Sequence, residues 1–300
     1  MTGGSGFIGT AVTSALASAD HPVASIDLAA PPRAAAAEWL GLDVRDVAAL
    51  SEALARLAPA AVIHLAALPT VTAYGPEALE AQSVNVGGTV AVLEACRRAG
   101  VPRVVLASSA AIYGDAGAEA IPEDRSPAPR SAYGASKVSA EAYAWAYARS
   151  TGLEVTVLRP ATVFGPGQRP SPEGAACAAF AAALARGRQA TIFGDGEQTR
   201  DYVYVHDAAA AFVAAALSPR SGRAYNVGTG ERVSIRALYR GLADAAGVAD
   251  DPGFGPSRPG DIRHSLLDPR RIAGDLGWTA RTPWEEGLRR TMAWVRTEAR

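Results

Sequence analysis

Residues 1–10, MTGGSGFIGT, decide the fold. Gly3, Gly6 and Gly9 recur at every third position, and Gly4, Gly6 and Gly9 also match G-x-G-x-x-G. Glycines at this spacing allow a tight turn between a strand and a helix, and they let a pyrophosphate approach the free N–H groups at the helix N-terminus. The stretch therefore predicts a dinucleotide site, although a glycine pattern alone is weak evidence.

An acidic residue at the end of the next predicted strand supports this site. Residues 21–28, HPVASIDL, are predicted to form that strand, and Asp27 ends it. Asp27 lies about 20 residues beyond the glycines, which is the spacing of the acid that binds the adenosine ribose. A carboxylate there repels a 2′-phosphate and so favours NAD over NADP. The alternative is that Asp27 only caps a loop.

Short apolar runs alternate with helical patterns along the first half of the chain. The predicted strands are 21–28, 60–68, 101–114 and 153–165, and the predicted helices lie near 46–57, 77–99 and 132–151. This alternation predicts an α/β fold, a Rossmann-type doubly wound parallel sheet. The alternation ends near residue 165, so the predicted domains are 1–164, which binds the dinucleotide, and 165–300. The second domain is expected to be a smaller α/β unit for the substrate, with segments returning to the first.

Composition limits the partners of this chain. Its 300 residues carry a net charge of −1, which argues against nucleic acid or an anionic membrane as the main partner. No apolar run approaches the ~18–20 residues of a membrane span. Cys96 and Cys177 supply neither a disulfide framework nor a metal-ligand spacing, so a reducing cytoplasm is predicted. His64, inside the apolar run 60–68, is predicted to be structural and not a metal ligand.

Residues 131–137, SAYGASK, carry the candidate catalytic pair. Tyr133 and Lys137 are four positions apart, so both side chains lie on one face of a helix. A lysine ammonium beside a phenol lowers the pKa of the tyrosine toward neutrality, and a positive nicotinamide would add to this effect. The tyrosinate can then take a proton from a substrate hydroxyl, with Ser109 as the relay. In isolation, Tyr-x-x-x-Lys is also a common chance pair.

Motifs along nearly the whole chain resemble one family. They are TGGSGFIG, HLAA, NVGGT, SSAAIYG, YGASK, GDGEQTRDYVYVHD, YNVGTG and RPGDIRHSLLDP. The chain is similar to extended short-chain dehydrogenases/reductases of the NAD-dependent epimerase/dehydratase family, and within it to UDP-glucose and UDP-N-acetylglucosamine 4-epimerases. The resemblance implies bound NAD, a nucleotide-sugar substrate and a homodimer formed through the helices near 77–99 and 132–150.

The resemblance also implies a role for individual positions. The implied catalytic residues are Ser109, Tyr133 and Lys137. The implied cofactor contacts are Gly3, Gly6, Phe7, Ile8, Gly9, Asp27, Asp43, Val44, Leu65, Ala66, Ala67, Asn85, Tyr133, Lys137 and Pro160. The implied substrate contacts are Ser109, Thr162, Arg200, Arg258, Asp261 and Ser265, and the two arginines would clamp the diphosphate.

Two of these positions also have plainer interpretations. From the residues alone, Asp43 is equally well the N-cap of the helix near 46–57, in the stretch LDVRD. Arg200 is followed directly by Asp201, and the two could form a surface ion pair. No metal site is expected.

Four positions depart from the patterns of relatives. Dehydratases of this family carry Asp-Glu after the relay hydroxyl, where this chain has Ala110 and Ala111, so elimination lacks its acid and base. Thr162 replaces an asparagine that contacts the diphosphate in most hexose 4-epimerases. Ser265 stands where a bulky aromatic excludes acetylated sugars, so an N-acetyl group is expected to fit.

These features predict an NAD-dependent nucleotide-sugar 4-epimerase that transiently oxidises C4 of a UDP-hexose, with Tyr133 as the base. One alternative is a nucleotide-4-keto-sugar reductase or another nucleotide-sugar oxidoreductase of the family, which would use the same three residues. Asp27 disfavours an NADPH-dependent reductase. A non-catalytic NAD-binding sensor is the alternative from another class, and the intact Ser-Tyr-Lys set disfavours it.

The sequence before the glycine loop differs from that of relatives, in which about five mostly apolar residues precede T-G-G and form the central strand. Without them, both neighbouring strands would have unpaired N–H and C=O groups. We therefore expect the first strand to be missing from this sequence and to be encoded in frame just upstream of Met1. A stop codon in that frame directly before Met1 would contradict this expectation.

Overall fold

The computed structural model describes residues 1–31, 38–69, 75–171, 175–258 and 261–298. The strands in these ranges are β1 (Ala24–Ile26), β2 (Glu38–Leu40), β3 (Val62–His64), β4 (Arg103–Ala107), β5 (Glu154–Pro160), β6 (Thr162–Phe164), β7 (Thr191–Phe193), β8 (Thr199–Arg200), β9 (Tyr202–Tyr204), β10 (Arg223–Val227), β11 (Val233–Ser234), β12 (Gly253–Gly255) and β13 (His264–Ser265). The helices are α1 (Phe7–Ser18), α2 (Val47–Leu57), α3 (Pro76–Gln82), α4 (Gly88–Arg98), α5 (Ala132–Thr151), α6 (Ala176–Ala185), α7 (Val205–Leu217), α8 (Ile235–Ala246), α9 (Arg270–Leu276) and α10 (Trp284–Glu298), with a π-helix at Ser83–Gly87 and a 3₁₀-helix at Ala110–Tyr113.

A parallel sheet forms the centre of the fold. β3 pairs with β4, β4 with β5 and β5 with β10, and β1 pairs in the same direction with β2. Thr2 joins these two groups because it bridges Ile26 of β1 and His64 of β3. The strand order is therefore β2–β1–Thr2–β3–β4–β5–β10, and the predicted parallel α/β fold is confirmed.

Backbone hydrogen bonds hold Thr2 and Gly3 between β1 and β3. Thr2 N donates to Ile63 O (3.0 Å), Leu65 N donates to Thr2 O (3.2 Å), and Gly3 N donates to Ile26 O (2.9 Å). The glycine loop thus leaves directly from the centre of the sheet, as its motif requires. The expectation of a further strand encoded upstream stays a prediction.

Alternate side chains of the central strands enter two hydrophobic clusters on opposite faces of the sheet. Val105 and Ala107 of β4 pack in the cluster that includes α1 and α7, whereas Val104 and Leu106 pack in the cluster that includes α2, α4 and α5. The two-residue period of a strand produces this division. Because both faces are buried, the strands are continuous apolar runs and not alternating ones.

Three predicted elements are divided in the structure. The strand predicted at 101–114 consists of β4 and the 3₁₀-helix at Ala110–Tyr113, where Ser109 caps the helix instead of continuing the strand. The helix predicted near 77–99 consists of α3, the π-helix and α4. A side chain at Gly88, where α4 begins, would lie 2.7 Å from Val44 Cγ2, and π segments often mark functional sites. The strand predicted at 153–165 ends at Pro160, and β6 pairs with β9 because Thr162 N donates to Asp201 O (3.0 Å).

The later part of the chain has a cluster of its own. α6, α8 and α10 pack around Phe164, Tyr202 and Tyr204, and β6 leads into this group directly from the carboxyl end of β5. α7 and β10 follow residue 165 but pack on the main sheet, as the predicted returning segments would. The domain boundary at 164/165 itself stays a prediction. None of the helices in the described ranges is both long and apolar enough to cross a bilayer.

Candidate active site

At Gly3 and Gly9, the glycine loop lies so close to neighbouring backbone that a side chain at either position would collide with it. A Cβ on Gly3, which has a φ of +69°, would lie 2.6 Å from Ala66 N. A Cβ on Gly9 would lie 2.0 Å from Gly3 O. α1 begins at Phe7 with Gly6 as its N-cap and no side-chain cap, so the N–H groups of its first turn are available to an anion. Ile8 is the second residue of that turn.

Asp27 is held beside this loop at the end of β1. Ser5 N donates to its Oδ2 (3.0 Å) and Ala29 N donates to its Oδ1 (3.2 Å). The carboxylate therefore caps the loop and also lies where a ribose acceptor is expected. Sequence reasoning missed Trp39, whose Nε1 donates to Asp27 O (3.2 Å) from the neighbouring β2.

Asp43 is not the N-cap of α2, so that alternative is wrong. The cap is Asp46, whose Oδ1 accepts from Ala48 N (3.1 Å) and Ala49 N (3.0 Å). The Asp43 carboxylate instead accepts from the guanidinium of Arg45, and this bond holds the pKa of Asp43 below its usual value. The contact of Asp43 with adenine stays a prediction. The cofactor contact of the adjacent, buried Val44 also stays a prediction.

Asn85 connects the end of β3 to α5. Leu65, Ala66 and Ala67 follow β3 directly. Leu68 N donates to Asn85 Oδ1 (2.7 Å), and Asn85 Nδ2 donates to Ser136 Oγ (3.0 Å). The π-helix that carries Asn85 thus fixes the segment beside the glycine loop against the helix of the catalytic pair.

His64 has the structural role predicted for it. Its Nδ1 lies 2.6 Å from Thr2 Oγ1, and its Nε2 lies 3.0 Å from Thr89 Oγ1. Burial and the charge of Lys137 lower the pKa of His64 to about 3, so the ring is neutral at physiological pH. Within the described ranges, no group of three or more His, Cys, Asp or Glu side chains could hold a metal ion.

The structure brings Ser109, Tyr133 and Lys137 together. Ser109 follows β4 and caps the 3₁₀-helix, since Ala111 N donates to its Oγ (3.1 Å). Tyr133 and Lys137 lie on consecutive turns of α5, with Nζ 5.7 Å from the centre of the phenol ring. Lys137 Nζ donates to Ala107 O (2.8 Å), which fixes the helix against the end of β4.

The prediction of a lowered pKa for Tyr133 is wrong when only the protein's own groups act on the phenol. Burial raises the pKa of Tyr133 above its ordinary value, and contact with the Ser109 hydroxyl opposes this shift only in part. Burial also lowers the pKa of Lys137 to about 8. Both charged forms are disfavoured by the loss of water, so the phenolate needs a further positive charge nearby.

A cavity of about 600 Å³ lies next to Tyr133. The predicted substrate contacts Thr162, Arg200, Arg258 and Asp261 line it together with Tyr133. The volume is in the range of small-molecule sites. Ser109 and Ser265 do not belong to its lining; Ser265, on β13, pairs with Arg200 of β8. Pro160, the last residue of β5, is buried at the point where the chain turns toward the cavity.

Two arginines of the cavity are held by different contacts. Arg200 Nη2 donates to Asp261 Oδ1 (2.7 Å), and the guanidinium of Arg258 lies 4.1 Å from the centre of the Phe193 ring. The alternative that Arg200 pairs with Asp201 is wrong. Asp201 is buried, and its carboxylate accepts from Thr229 N (2.9 Å) instead. Sequence reasoning missed Phe193, because no local pattern indicates its stacking with Arg258.

The fold and the site define a dinucleotide-binding enzyme of the short-chain dehydrogenase/reductase class. A glycine loop, a strand-end aspartate and a Ser-Tyr-Lys set meet at the carboxyl edge of one parallel sheet. The model of the NAD-dependent epimerase/dehydratase family matches residues 1–228, and the chain belongs to that family. The resemblance inferred from the motifs is thereby confirmed.

Known relatives match this chain over its full length. The UDP-glucose 4-epimerase of Mycolicibacterium smegmatis is 38% identical over 100% of this chain and 98% of its own. The structure of a UDP-glucose 4-epimerase from Thermotoga maritima with UDP-glucose has a TM-score of 0.94 at 33% identity, covering 100% and 98% of the two chains. A Thermus thermophilus UDP-glucose 4-epimerase in complex with NAD has a TM-score of 0.90 at 36% identity, covering 98% and 97%.

We predict that Gly9→Ala weakens NAD binding at least about tenfold, or about 1.4 kcal/mol. The added Cβ would lie 2.0 Å from Gly3 O and would push the loop away from the start of α1. Calorimetric titration with NAD measures the change. The control is Gly274→Ala on α9, where an added Cβ has no neighbour within 4 Å. Equal affinities for both variants would contradict the role of this loop.

Proposed function

We propose that this chain is an NAD-dependent nucleotide-sugar 4-epimerase acting on UDP-hexoses. The observation that carries the proposal is the position of Tyr133, which lines one cavity together with Arg200 and Arg258. A general base therefore faces the same space as two cations suited to a diphosphate. Both structural relatives compared above are UDP-glucose 4-epimerases, one with UDP-glucose and one with NAD.

The residues of the loop fit NAD. The backbone approach at Gly3 and Gly9 leaves no room for side chains, and the uncapped start of α1 suits a pyrophosphate. When bound, NAD⁺ accepts hydride from a sugar carbon and supplies the positive nicotinamide. Lys137, fixed on Ala107 O, lies beside Tyr133 and adds a second positive charge in its protonated form.

In the proposed epimerisation, different residues of the chain transfer the proton and hold the nucleotide. Tyr133 takes the proton from O4 of the sugar and later returns it, with Ser109 as relay. Arg200 and Arg258 hold the diphosphate while the 4-keto sugar turns, so that its other face can be reduced. Binding energy from the nucleotide, remote from the reacting carbon, thus keeps the intermediate in the cavity.

Local residues disfavour the related reactions. Ala110 and Ala111 follow Ser109 at the start of the 3₁₀-helix, and neither can supply the acid or base for loss of water. Asp27, beside the glycine loop, disfavours the 2′-phosphate that an NADPH-dependent reductase would bind. The assembled Ser-Tyr-Lys set disfavours a sensor without activity.

Tyr133→Phe is expected to lower kcat about 10²- to 10⁴-fold, because it removes the group that exchanges the proton. Turnover of UDP-glucose and UDP-galactose, with NAD content measured before and after, tests this. The control is Tyr147→Phe on the same helix, which removes only a 3.4 Å contact of its hydroxyl with Glu94 Oε2. Wild-type turnover by Tyr133→Phe would refute the assignment, and stoichiometric release of NADH by the native protein would favour an oxidoreductase.

The substrate proposal extends to N-acetylated sugars. Ser265 is a small residue one strand away from Arg200. Ser265→Tyr is expected to lower kcat/KM for UDP-GlcNAc and UDP-GalNAc at least about tenfold, about 1.4 kcal/mol, with little change for UDP-glucose and UDP-galactose. Ser265→Ala is the control and retains both activities. The proposal fails if the acetylated pair is not turned over or if Ser265→Tyr leaves its turnover unchanged.

We also propose a homodimer formed through α3 and α5. These helices pack against each other and present exposed apolar side chains, Leu79 at 72% and Tyr143 at 47% exposure. Sedimentation of the native chain should give the mass of two copies, and the double variant Leu79→Asp, Tyr143→Asp that of one. Leu217→Asp, at a leucine on α7 that is 50% exposed, should leave the dimer intact. A native chain that sediments as one copy would overturn the proposal.

A cytoplasmic location is part of the proposal. Cys96 and Cys177 are both free and buried, and burial raises the pKa of each thiol to about 12. Unreactive thiols without a disulfide suit a reducing compartment. Recovery of the chain with cytoplasmic markers after cell fractionation checks this location.

A further inference from the structure

The end of β4 is bonded twice to one face of α5. Ala107 O accepts from Lys137 Nζ (2.8 Å), and the next residue, Ser108, donates its hydroxyl proton to Glu141 Oε1. Lys137 and Glu141 are one helical turn apart, as are Tyr133 and Lys137. Glu141 therefore extends the row of functional side chains on α5 by one turn, directly behind the catalytic pair.

Glu141 is buried in a bidentate ion pair with β5. Arg159 Nε donates to Oε1 (3.0 Å) and Arg159 Nη2 donates to Oε2 (2.6 Å). The side chains of both residues are less than a tenth exposed. A fork-to-fork pair in such surroundings fixes both groups in one orientation, and removing one partner leaves the other charge buried and unpaired.

Arg159 carries this connection into the rest of the sheet. Its Nη1 donates to the Tyr113 hydroxyl (2.8 Å) and to Glu123 O (2.8 Å). The Tyr113 hydroxyl in turn donates to Asn226 Oδ1 (2.8 Å) on β10. Neither Glu141 nor Arg159 lines the substrate cavity, so any effect of this pair on the reaction passes through other residues.

We propose that Glu141 is a positioning residue, which through Ser108 and Lys137 sets the register of α5 on β4 and so places Tyr133 beside Ser109. The proposal deepens the epimerase function proposed above, and its activity readout rests on that function. The role requires a carboxylate at this position, because only a negative charge both pairs with the Arg159 guanidinium and favours the ammonium form of Lys137.

The titratable and charged groups around Lys137 and Glu141 lie on three elements. His64 of β3 faces it and is neutral, while Tyr133 and Glu141 face it from α5. Arg159 of β5 faces Glu141 from the other side. Burial lowers the pKa of Lys137 to about 8, and the charge of Glu141 opposes this effect. Removal of that charge should therefore lower the pKa of Lys137 further, so that the ammonium is lost at a lower pH.

A feature of the sequence makes this directly measurable. Of the 29 Lys and Arg residues, only Lys137 is a lysine. Growth on lysine labelled with ¹³C at Cε therefore gives a protein with one labelled side chain. Its NMR titration reports the pKa of Lys137 without any need for turnover.

In Glu141→Gln we expect the titration midpoint of Lys137 and the alkaline limb of the kcat/KM profile to move to lower pH. We expect kcat to fall about 10- to 100-fold, as for a small misplacement of reacting groups. KM should stay within about twofold, because the arginine clamp is untouched. Glu141→Asp keeps the charge, so it should restore the titration midpoint and the alkaline limb while kcat stays partly reduced.

Two further variants separate positioning from folding. Ser108→Ala removes one hydrogen bond and leaves the Glu141–Arg159 pair, so it should fold, bind NAD, keep the Lys137 midpoint and lose kcat. Glu154→Gln is the matched control. Glu154 also pairs with an arginine, Arg103, but this pair lies partly exposed at the amino ends of β4 and β5, and its loss should change neither readout.

An unchanged Lys137 midpoint in Glu141→Gln would overturn the proposal, and so would native kcat in Ser108→Ala. If Glu141→Gln fails to fold, Glu141→Asp and Ser108→Ala decide, and native kcat in either variant would overturn the proposal. Absence of turnover by the native chain with UDP-hexoses would refute the epimerase function instead. The NMR titration would still test the link between Glu141 and Lys137.

Discussion

The hydrogen bonds of Thr2 and Gly3 to the strands on either side are the constraint on which the rest of the structure depends. They make one sheet of the β1–β2 pair and the β3–β4–β5–β10 group. They also bring the glycine loop to the same edge as the carboxyl ends of β1, β3, β4 and β5. The loop, Asp27 and Ser109 therefore lie along one edge of the sheet although they are separated in sequence.

Sequence reasoning predicted the parts of the site that local patterns specify. The glycine loop, Asp27 at the end of β1 and the Tyr133–Lys137 pair on α5 each depend on a spacing within one or two neighbouring elements. The parallel order of the strands followed from their alternation with helices. The breaks within the predicted helix 77–99 and strand 153–165 did not follow, because no local pattern marks the π-helix at Ser83–Gly87 or the pairing of Thr162 with Asp201.

The same reasoning did not predict side-chain pairs between distant positions or the burial of individual side chains. Arg200 pairs with Asp261 and Arg258 stacks on Phe193, and no periodicity connects these positions. The predicted direction of the pKa shift of Tyr133 was wrong, because sequence spacing shows a nearby lysine but not the loss of water around the phenol. Around Tyr133, the loss of water outweighs the effect of a lysine whose ammonium is held on a backbone carbonyl.

Two ion pairs of opposite character lie near the catalytic residues and at the cavity. Behind the catalytic residues, Glu141 and Arg159 are buried with side chains 7% and 8% exposed, and each satisfies the other from two directions. At the proposed clamp, Asp261 is 38% exposed, and a partly exposed ion pair of this kind costs little to exchange for a phosphate.

A 4-epimerase needs this contrast. The sugar must turn between two hydride transfers while its nucleotide remains bound, so the proposed clamp must hold the diphosphate through both transfers and release it only with the product. The base must meet the hydroxyl in both orientations and so must not move. A buried bidentate pair one turn behind Lys137 supplies that rigidity without contacting the cavity. The same fold thus combines the proposed, exchangeable arginine contacts to the nucleotide with an acid–base centre that is held in place.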